Sequence, residues 1–214
     1  MKGLAPHTTA IFDAVTKLEC IKPFVLVGGT ALSLQIGSRQ SEDLDFMRWK
    51  LNAEDKLEIG WPNIQRELST IGTIEHTEVR GFDMAEFYVD GVKLSFYAAP
   101  RKRLPSMQLI PYSNNLVLAD AKSIGAMKME IMSRRSKFRD YYDIYCILKS
   151  GADIHEMIAA AIEHSGYVLK TKNLMAILTN GERFVKDQSF LQLEPKFDVS
   201  AYDIQEFIKS LLKN

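Results

Sequence analysis

The spacing of apolar positions changes period along this chain, and each change marks a new kind of element. Residues 8–20 carry Ile11, Phe12, Val15 and Leu18 on one side at helical spacing, which predicts a helix that ends before Pro23. Phe24 to Val27 is a short apolar run closed by Gly28-Gly29 and reads as a buried strand. Thr30 is placed to cap a helix over residues 31–36, which Gly37 stops. A polar turn, SRQSE, leads into a second strand from Asp43 to Trp49. Asn52 then caps a helical region that Pro62 divides in two. Between about 73 and 98 the period falls to two. Strands are expected at Thr73–Val79, Met84–Val89 and Val92–Ala98, with Asp90-Gly91 as a hairpin turn. Pro100, Pro105 and Pro111 fall in a loop with Arg101, Lys102 and Arg103. From about 117 the pattern is helical throughout. One helix begins at Asp120, one covers 138–149, one runs from Asp153 to Gly166, and one covers 171–179. The last is capped by Ser200 with Asp203.

This order predicts an α+β chain: an α/β core over residues 1–115 and a helical C-terminal lobe over 116–214. No flexible linker separates them, so a shared interface is expected. Composition narrows the class. The chain has 214 residues, 46% hydrophobic and 25% charged, as in a globular protein that folds in water. Lys plus Arg equals Asp plus Glu at 27 each, which argues against holding nucleic acid by bulk charge but permits a local basic patch. No apolar run is long enough to span a bilayer, and the first residues lack the apolar core of a signal peptide. Cys20 and Cys146 are far apart and read as buried thiols of a cytoplasmic protein, with no spacing for structural zinc.

Candidate chemistry begins at Ser41-Glu42-Asp43-Leu44-Asp45-Phe46. On a strand, Asp43 and Asp45 project to one side, with Leu44 and Phe46 on the other. Two neighbouring carboxylates repel unless solvent or a cation relieves them, and magnesium takes one or two carboxylates together with substrate phosphates. Alone, such a pair reads as a solvated strand face rather than a metal site. Its context adds weight: the preceding strand ends in Gly28-Gly29-Thr30 and opens a helix, where glycine admits a close phosphate and the first N–H groups lack partners. An anion-binding element therefore stands beside a metal-binding one.

The segment GGTALSLQIGSRQSEDLDF resembles the first signature of the AbiEii-type nucleotidyltransferase toxins, relatives of the MenT toxins in the polymerase-β-like superfamily. Residues 117–148 resemble the second: an Ala-Met-Lys-Met helix, basic residues, then Arg139-Asp140-Tyr-Tyr-Asp143. The resemblance covers about residues 24–150. It implies a nucleotidyltransferase-fold mixed sheet with flanking helices, in which Asp43 and Asp45 bind Mg2+ and Gly28, Gly29, Thr30, Arg39 and Ser41 belong to the nucleotide site. Lys128 then holds triphosphate oxygens, and Asp140 is an active-site carboxylate, either the base or an organiser of Lys128. It further implies an NTP substrate, an RNA (tRNA) 3′ end as acceptor, and a separately encoded antitoxin protein. Transfer to a small-molecule or protein hydroxyl is the alternative enzyme reading. A catalytically silent nucleotide-binding or partner-binding module is the alternative outside enzymes.

Read physically, Lys128 borders the apolar stripe of Ile124, Ile131 and Met132, where an ammonium must either snorkel to water or meet an anion. Asp140 shares a face with Ile144, Ile147 and Leu148, a placement that a first-turn acid also takes for the helix dipole. Asp143 is the weaker partner and is expected to pair with Arg139. Arg134, Arg135, Lys137 and Arg139 form a basic run that is either solvated or turned to phosphate. Tyr141, Tyr142 and Tyr145 read as core, with one of them a candidate for stacking on a base. Many polymerase-β-like enzymes add a third carboxylate from a later strand, but the polar face of Val92–Tyr97 carries Lys93, Ser95 and Tyr97 and no acid. That leaves Asp140, with Glu42 and Glu86 behind it, as candidates for the base.

Overall fold

The computed structural model describes residues 3–186 and 188–213. The first helix, α1 (Pro6–Thr16), starts with Pro6 in its first turn, where a missing N–H costs nothing, and buries Ile11, Phe12 and Val15 as the spacing predicts. A 3₁₀ turn, Glu19–Ile21, leads to strand β1 (Val25–Val27), fully buried. Helix α2 (Gly28–Ile36) follows without a loop and ends at Gly37, whose φ of +58° is the left-handed conformation of a helix stop. Strand β2 is Leu44–Trp49, and helix α3 is Trp61–Leu68. Five more strands complete the α/β part: β3 (Ile74–Val79), β4 (Met84–Val89), β5 (Val92–Ala99), β6 (Leu109–Ser113) and β7 (Leu116–Ala119).

These strands form one sheet in the order β3-β4-β5-β2-β1-β7-β6. The central pair β2·β5 is parallel, as is β1·β7, and the other neighbours are antiparallel, so the sheet is mixed. The β4–β5 turn has Asp90 at φ +46° and Gly91 at φ +77°, the two positive values of the hairpin turn expected there. One face of the sheet is an aromatic core: Phe96 stacks on Phe46 at 4.9 Å between ring centres and meets Phe24 and Phe87 edge-on.

Three sequence expectations are corrected. No helix occupies 50–60; that stretch is turn and coil, and Pro62 starts α3 instead of splitting a longer helix, because proline's missing N–H is tolerated only in a first turn. Pro111 lies inside β6, an edge strand, where it need donate to no neighbour. The chain is not wholly helical from 117: Leu116–Ala119 is β7, a four-residue apolar run too short for its period to separate strand from helix.

The remaining helices are α4 (Ala121–Ile131), α5 (Phe138–Lys149), α6 (Ile154–His164), α7 (Thr171–Leu178), the single turn α8 (Gln188–Leu191) and α9 (Ala201–Leu211). Asp153 caps α6, and Ser200 with Asp203 forms the expected capping box on α9. By packing, the chain divides into two units. One holds the residues through Leu34, Gln40–Arg103 and Gln108–Asp120, and so the whole sheet. The other holds Gln35–Arg39, Leu104–Met107 and the chain from Ala121 onward. Inside the helical unit, α5 lies on an aromatic bed supplied by the tail. Tyr141 stacks on Phe184 at 4.4 Å, and edge contacts join Tyr142 to Phe190 and Tyr145 to Phe207. Cys20 and Cys146 are buried free thiols, both pushed up to about 12 by burial, with the Glu67 carboxylate adding to the rise at Cys20.

Candidate active site

In the sheet unit, β1 delivers its chain directly into α2, and Val27 pairs with Asp45 across the sheet. Gly28 takes φ +70° at that junction. A Cβ there would lie 2.8 Å from the Asp45 carboxylate oxygen, so any other residue would strain the left-handed backbone and push that carboxylate aside. The first turn of α2 thus brings backbone N–H groups, which a helix start leaves without intrahelical acceptors, against the carboxylate face of β2. Asp43 immediately precedes β2 and Asp45 is its second residue; both are half-buried, while Leu44 and Phe46 are in the core, as the alternation predicts.

Thr30 does not cap α2, because the helix begins two residues earlier, at Gly28. Its hydroxyl is buried, donates to the Asp43 carbonyl and accepts from the Ser41 hydroxyl at 2.9 Å. Through these bonds the Thr30 and Ser41 hydroxyls set the backbone of the acid loop. The register Asp45–Ser95–Glu86 across β2, β5 and β4 puts these side chains in one row on the polar face. Ser95 stands beside Asp45, and the nearest acid in the row, Glu86, is ion-paired to Lys93 at 2.8 Å and to Arg80 at 3.8 Å. Among the described residues no set of three or more His, Cys, Asp or Glu side chains is arranged for a metal. Two hard carboxylates are a donor set that suits magnesium, which fills its remaining positions with phosphate and water.

In the helical unit, a second group is built on α5. Asp140 and Asp143, one turn apart, are both buried and both accept from Lys128 of α4, at 2.9 and 2.8 Å. Arg39 holds Asp143 with two bonds of 2.8 Å, and Arg135 holds Asp140 with bonds of 2.8 and 3.0 Å. These are planar, two-toothed guanidinium–carboxylate pairs. Burial pushes the Asp140 carboxyl up, but the charges of Lys128 and Arg135 outweigh it and hold it down at about 2. Asp143 is likewise raised by burial and lowered by more through Arg39 and Lys128, so it too lies below the ordinary carboxylate range.

Several expectations shift. Arg39, expected in the nucleotide site, is a buried partner of Asp143. Asp143 pairs with Arg39 and Lys128 and not with Arg139. Arg135, expected only as part of a basic run, is a specific partner of Asp140. Of the two roles open to Asp140, the geometry supports the organiser of Lys128, since a carboxyl clamped by two cations is a poor proton acceptor. Tyr141 and Tyr142 are fully buried, and their hydroxyls donate to the carbonyls of Leu178 and Ser38, which ends the stacking reading for them. Sequence reading had a signal for Asp143 in its three-residue spacing from Asp140. It had none for the pairing of Asp143 with Arg39, 104 residues away.

The sequence of residues 12–211 matches the family described as Nucleotidyl transferase AbiEii toxin, Type IV TA system. An uncharacterized protein of Aquifex aeolicus (strain VF5) is 25% identical over 219 residues, covering 100% of this chain and 98% of that one. Two solved structures share the fold. MenT4, nucleotidyltransferase toxin Rv2826c from Mycobacterium tuberculosis H37Rv, superposes with a TM-score of 0.58 at 15% identity, over 97% of this chain and 81% of that one. JHP933 from Helicobacter pylori gives 0.54 at 18%, over 98% and 95%. The glycine-opened helix beside two strand carboxylates, the lysine clamped by two aspartates and a match over nearly the whole length agree, and this chain belongs to the AbiEii nucleotidyl transferase toxin family of type IV toxin–antitoxin systems.

Proposed function

We propose that this protein transfers a nucleotide from a magnesium-bound nucleoside triphosphate to the 3′-end hydroxyl of an RNA, tRNA in particular, as a toxin restrained by a separately encoded antitoxin protein. The observation that carries this reading is the approach of Gly28 to the Asp45 carboxylate, which sets an anion-binding helix start against a metal-binding pair. Asp43 and Asp45 would hold the magnesium, whose role is to polarise the phosphate and offset its charge. The backbone of Gly28, Gly29 and Thr30 binds phosphate oxygens. Thr30 and Ser41 position the acid loop. Lys128, oriented by Asp140 and Asp143, neutralises the triphosphate. Arg39 acts through Asp143.

In the reaction, the acceptor hydroxyl oxygen forms a bond to the α-phosphorus while the bond from that phosphorus to the bridging oxygen breaks, and pyrophosphate leaves. The hydroxyl proton goes to a carboxylate or to water. Of the three carboxylates considered for it, Glu42 is exposed, while Asp140 and Glu86 are held by cations. Such transfers depend mainly on placement and charge, which these residues supply. RNA as acceptor is supported by exposed cations at Arg101, Lys102 and Arg103 and at Arg134 and Lys137, which can follow a phosphate backbone although the net charge is zero. The resemblance in fold to MenT4, itself a nucleotidyltransferase toxin, supports the nucleotide-transfer part of this reading.

The test is incubation of the purified protein with each α-labelled NTP, magnesium and total cellular RNA. Label in RNA of tRNA size is expected, falling by about 100-fold or more in Asp43→Ala and Lys128→Ala. Label in protein or small molecules would move the acceptor to those classes. Nucleotide bound but never transferred would leave a silent binding module.

A further inference from the structure

The acid loop has a second support that no sequence motif marks. Its three successive carbonyls, those of Ser41, Glu42 and Asp43, are each taken by a separate donor. Thr30 holds the Asp43 carbonyl, as described above. The other two are held from the segment Gly3–Thr8. The Ala5 N–H donates to the Ser41 carbonyl at 3.0 Å, and the Ser41 N–H donates to the Gly3 carbonyl at 3.1 Å, so Leu4 pairs with Ser41 as a short parallel bridge. The Thr8 hydroxyl donates to the Glu42 carbonyl at 2.6 Å.

Neither Thr8 nor Gly3 has a local reason to be there. Thr8 is the third residue of α1, fully buried, and its hydroxyl leaves its own helix to reach a carbonyl 34 residues away. A threonine at a helix start ordinarily bonds its own backbone. Gly3 has φ +91°, and a Cβ there would lie 2.6 Å from the Ser33 carbonyl oxygen, so the segment is seated tightly against α2 as well. Bonds of this kind cost little to form in a folded chain and much to lose once buried.

We infer that the segment Gly3–Thr8 is a positioning element of the active site, with the Thr8 hydroxyl and the Ala5 N–H fixing the backbone on which Asp43 and Asp45 meet the divalent ion. This inference rests on the metal role given to that pair above. An ion held by only two carboxylates depends on their separation, so a loop freed at one carbonyl loses affinity without losing any ligand.

The experiment uses the full chain and Mn2+ alone as probe, titrated without nucleotide, with amide exchange at Ser41 followed in parallel. Thr8→Val removes the hydroxyl and keeps the shape, and Thr8→Ser restores it. Ala5→Pro deletes the N–H at a φ of −63° and ψ of 155° that proline accepts, and its ring takes the place of that N–H, so the Ser41 carbonyl is both unpaired and displaced. Thr16→Val is the control: it is equally buried in α1, with its hydroxyl on the Asp13 carbonyl, away from the loop. Thr8→Val and Ala5→Pro are expected to weaken Mn2+ binding about five- to tenfold and to speed Ser41 exchange, the change one buried hydrogen bond makes. Thr8→Ser should bind like the parent chain, and Thr16→Val should bind like it even where its melting temperature falls. Should Thr8→Val fail to fold, Ala5→Pro carries the same comparison. Unchanged Mn2+ affinity in a folded Thr8→Val or Ala5→Pro overturns this inference and leaves the proposed function standing. A parent chain that binds no Mn2+ alone overturns this inference, and one that binds none with an NTP present overturns the proposed function as well.

Discussion

Gly28 and Asp140 show how much one position can hold. At Gly28 the backbone is left-handed and the place of a Cβ is taken by the Asp45 carboxylate. Gly28→Ala is expected to fold with a loss of about 1–2 kcal/mol from the strained φ. It should lose nearly all nucleotide transfer, because the carboxylate must move. Thermal melts beside the labelling assay check this, and a variant with full activity would show that Asp45 tolerates displacement. At Asp140 the prediction concerns pH. The ordinary carboxylate value is 3.8 and the folded value about 2, so its ionised form stabilises the fold by about 2 kcal/mol. Because the folded value lies below the unfolded one, that contribution is complete above about pH 4 and is lost as pH falls through 2. Urea midpoints of the parent chain and Asp140→Asn should differ most at neutral pH and converge towards pH 2. A gap that stays constant over that range would argue against the assigned ion pairs.

Elements matter here for what they carry. Helix α5 carries both carboxylates that hold Lys128, and the tail helices exist in part to hold α5. Residues 151–214 contain no motif, yet Phe184 stacks on Tyr141, and the Leu178 carbonyl takes the Tyr141 hydroxyl at 2.7 Å. Phe184 is buried, so Phe184→Ala should destabilise by about 3–5 kcal/mol, through lost burial and the cavity left behind. Calorimetry or denaturant unfolding measures this. A cost below about 1 kcal/mol would mean the site had collapsed and the stack contributed little. Helix α2 and strand β2 are simpler in kind. Their order, with a glycine at the junction and acids on alternate positions, is what lets a short stretch of chain present a helix start and two carboxylates together.

For the whole molecule, local pattern was a good guide where an element's identity depends on its own residues. The hairpin at Asp90-Gly91, the strand with Leu44 and Phe46 inward, the caps at Asp153 and Ser200 and the helix over 138–149 were all legible, since period, turn chemistry and capping act within a few residues. Legibility failed where length or position decided the outcome, as at β7, too short to show a period, and at Pro62, tolerated because it begins a helix. The candidate site divides the same way. By itself the sequence determined which residue types stand at the acid pair, at the glycine junction and on the lysine helix, because spacing along one strand or helix sets which side chains share a face. Only the tertiary structure decided their partners: Asp143 with Arg39 across 104 residues, Thr8 with the Glu42 carbonyl across 34, and Asp140 clamped by Arg135 as well as Lys128. Such pairings are settled by burial, where each charge and carbonyl cut off from water must find a partner, and no local pattern records which one it finds.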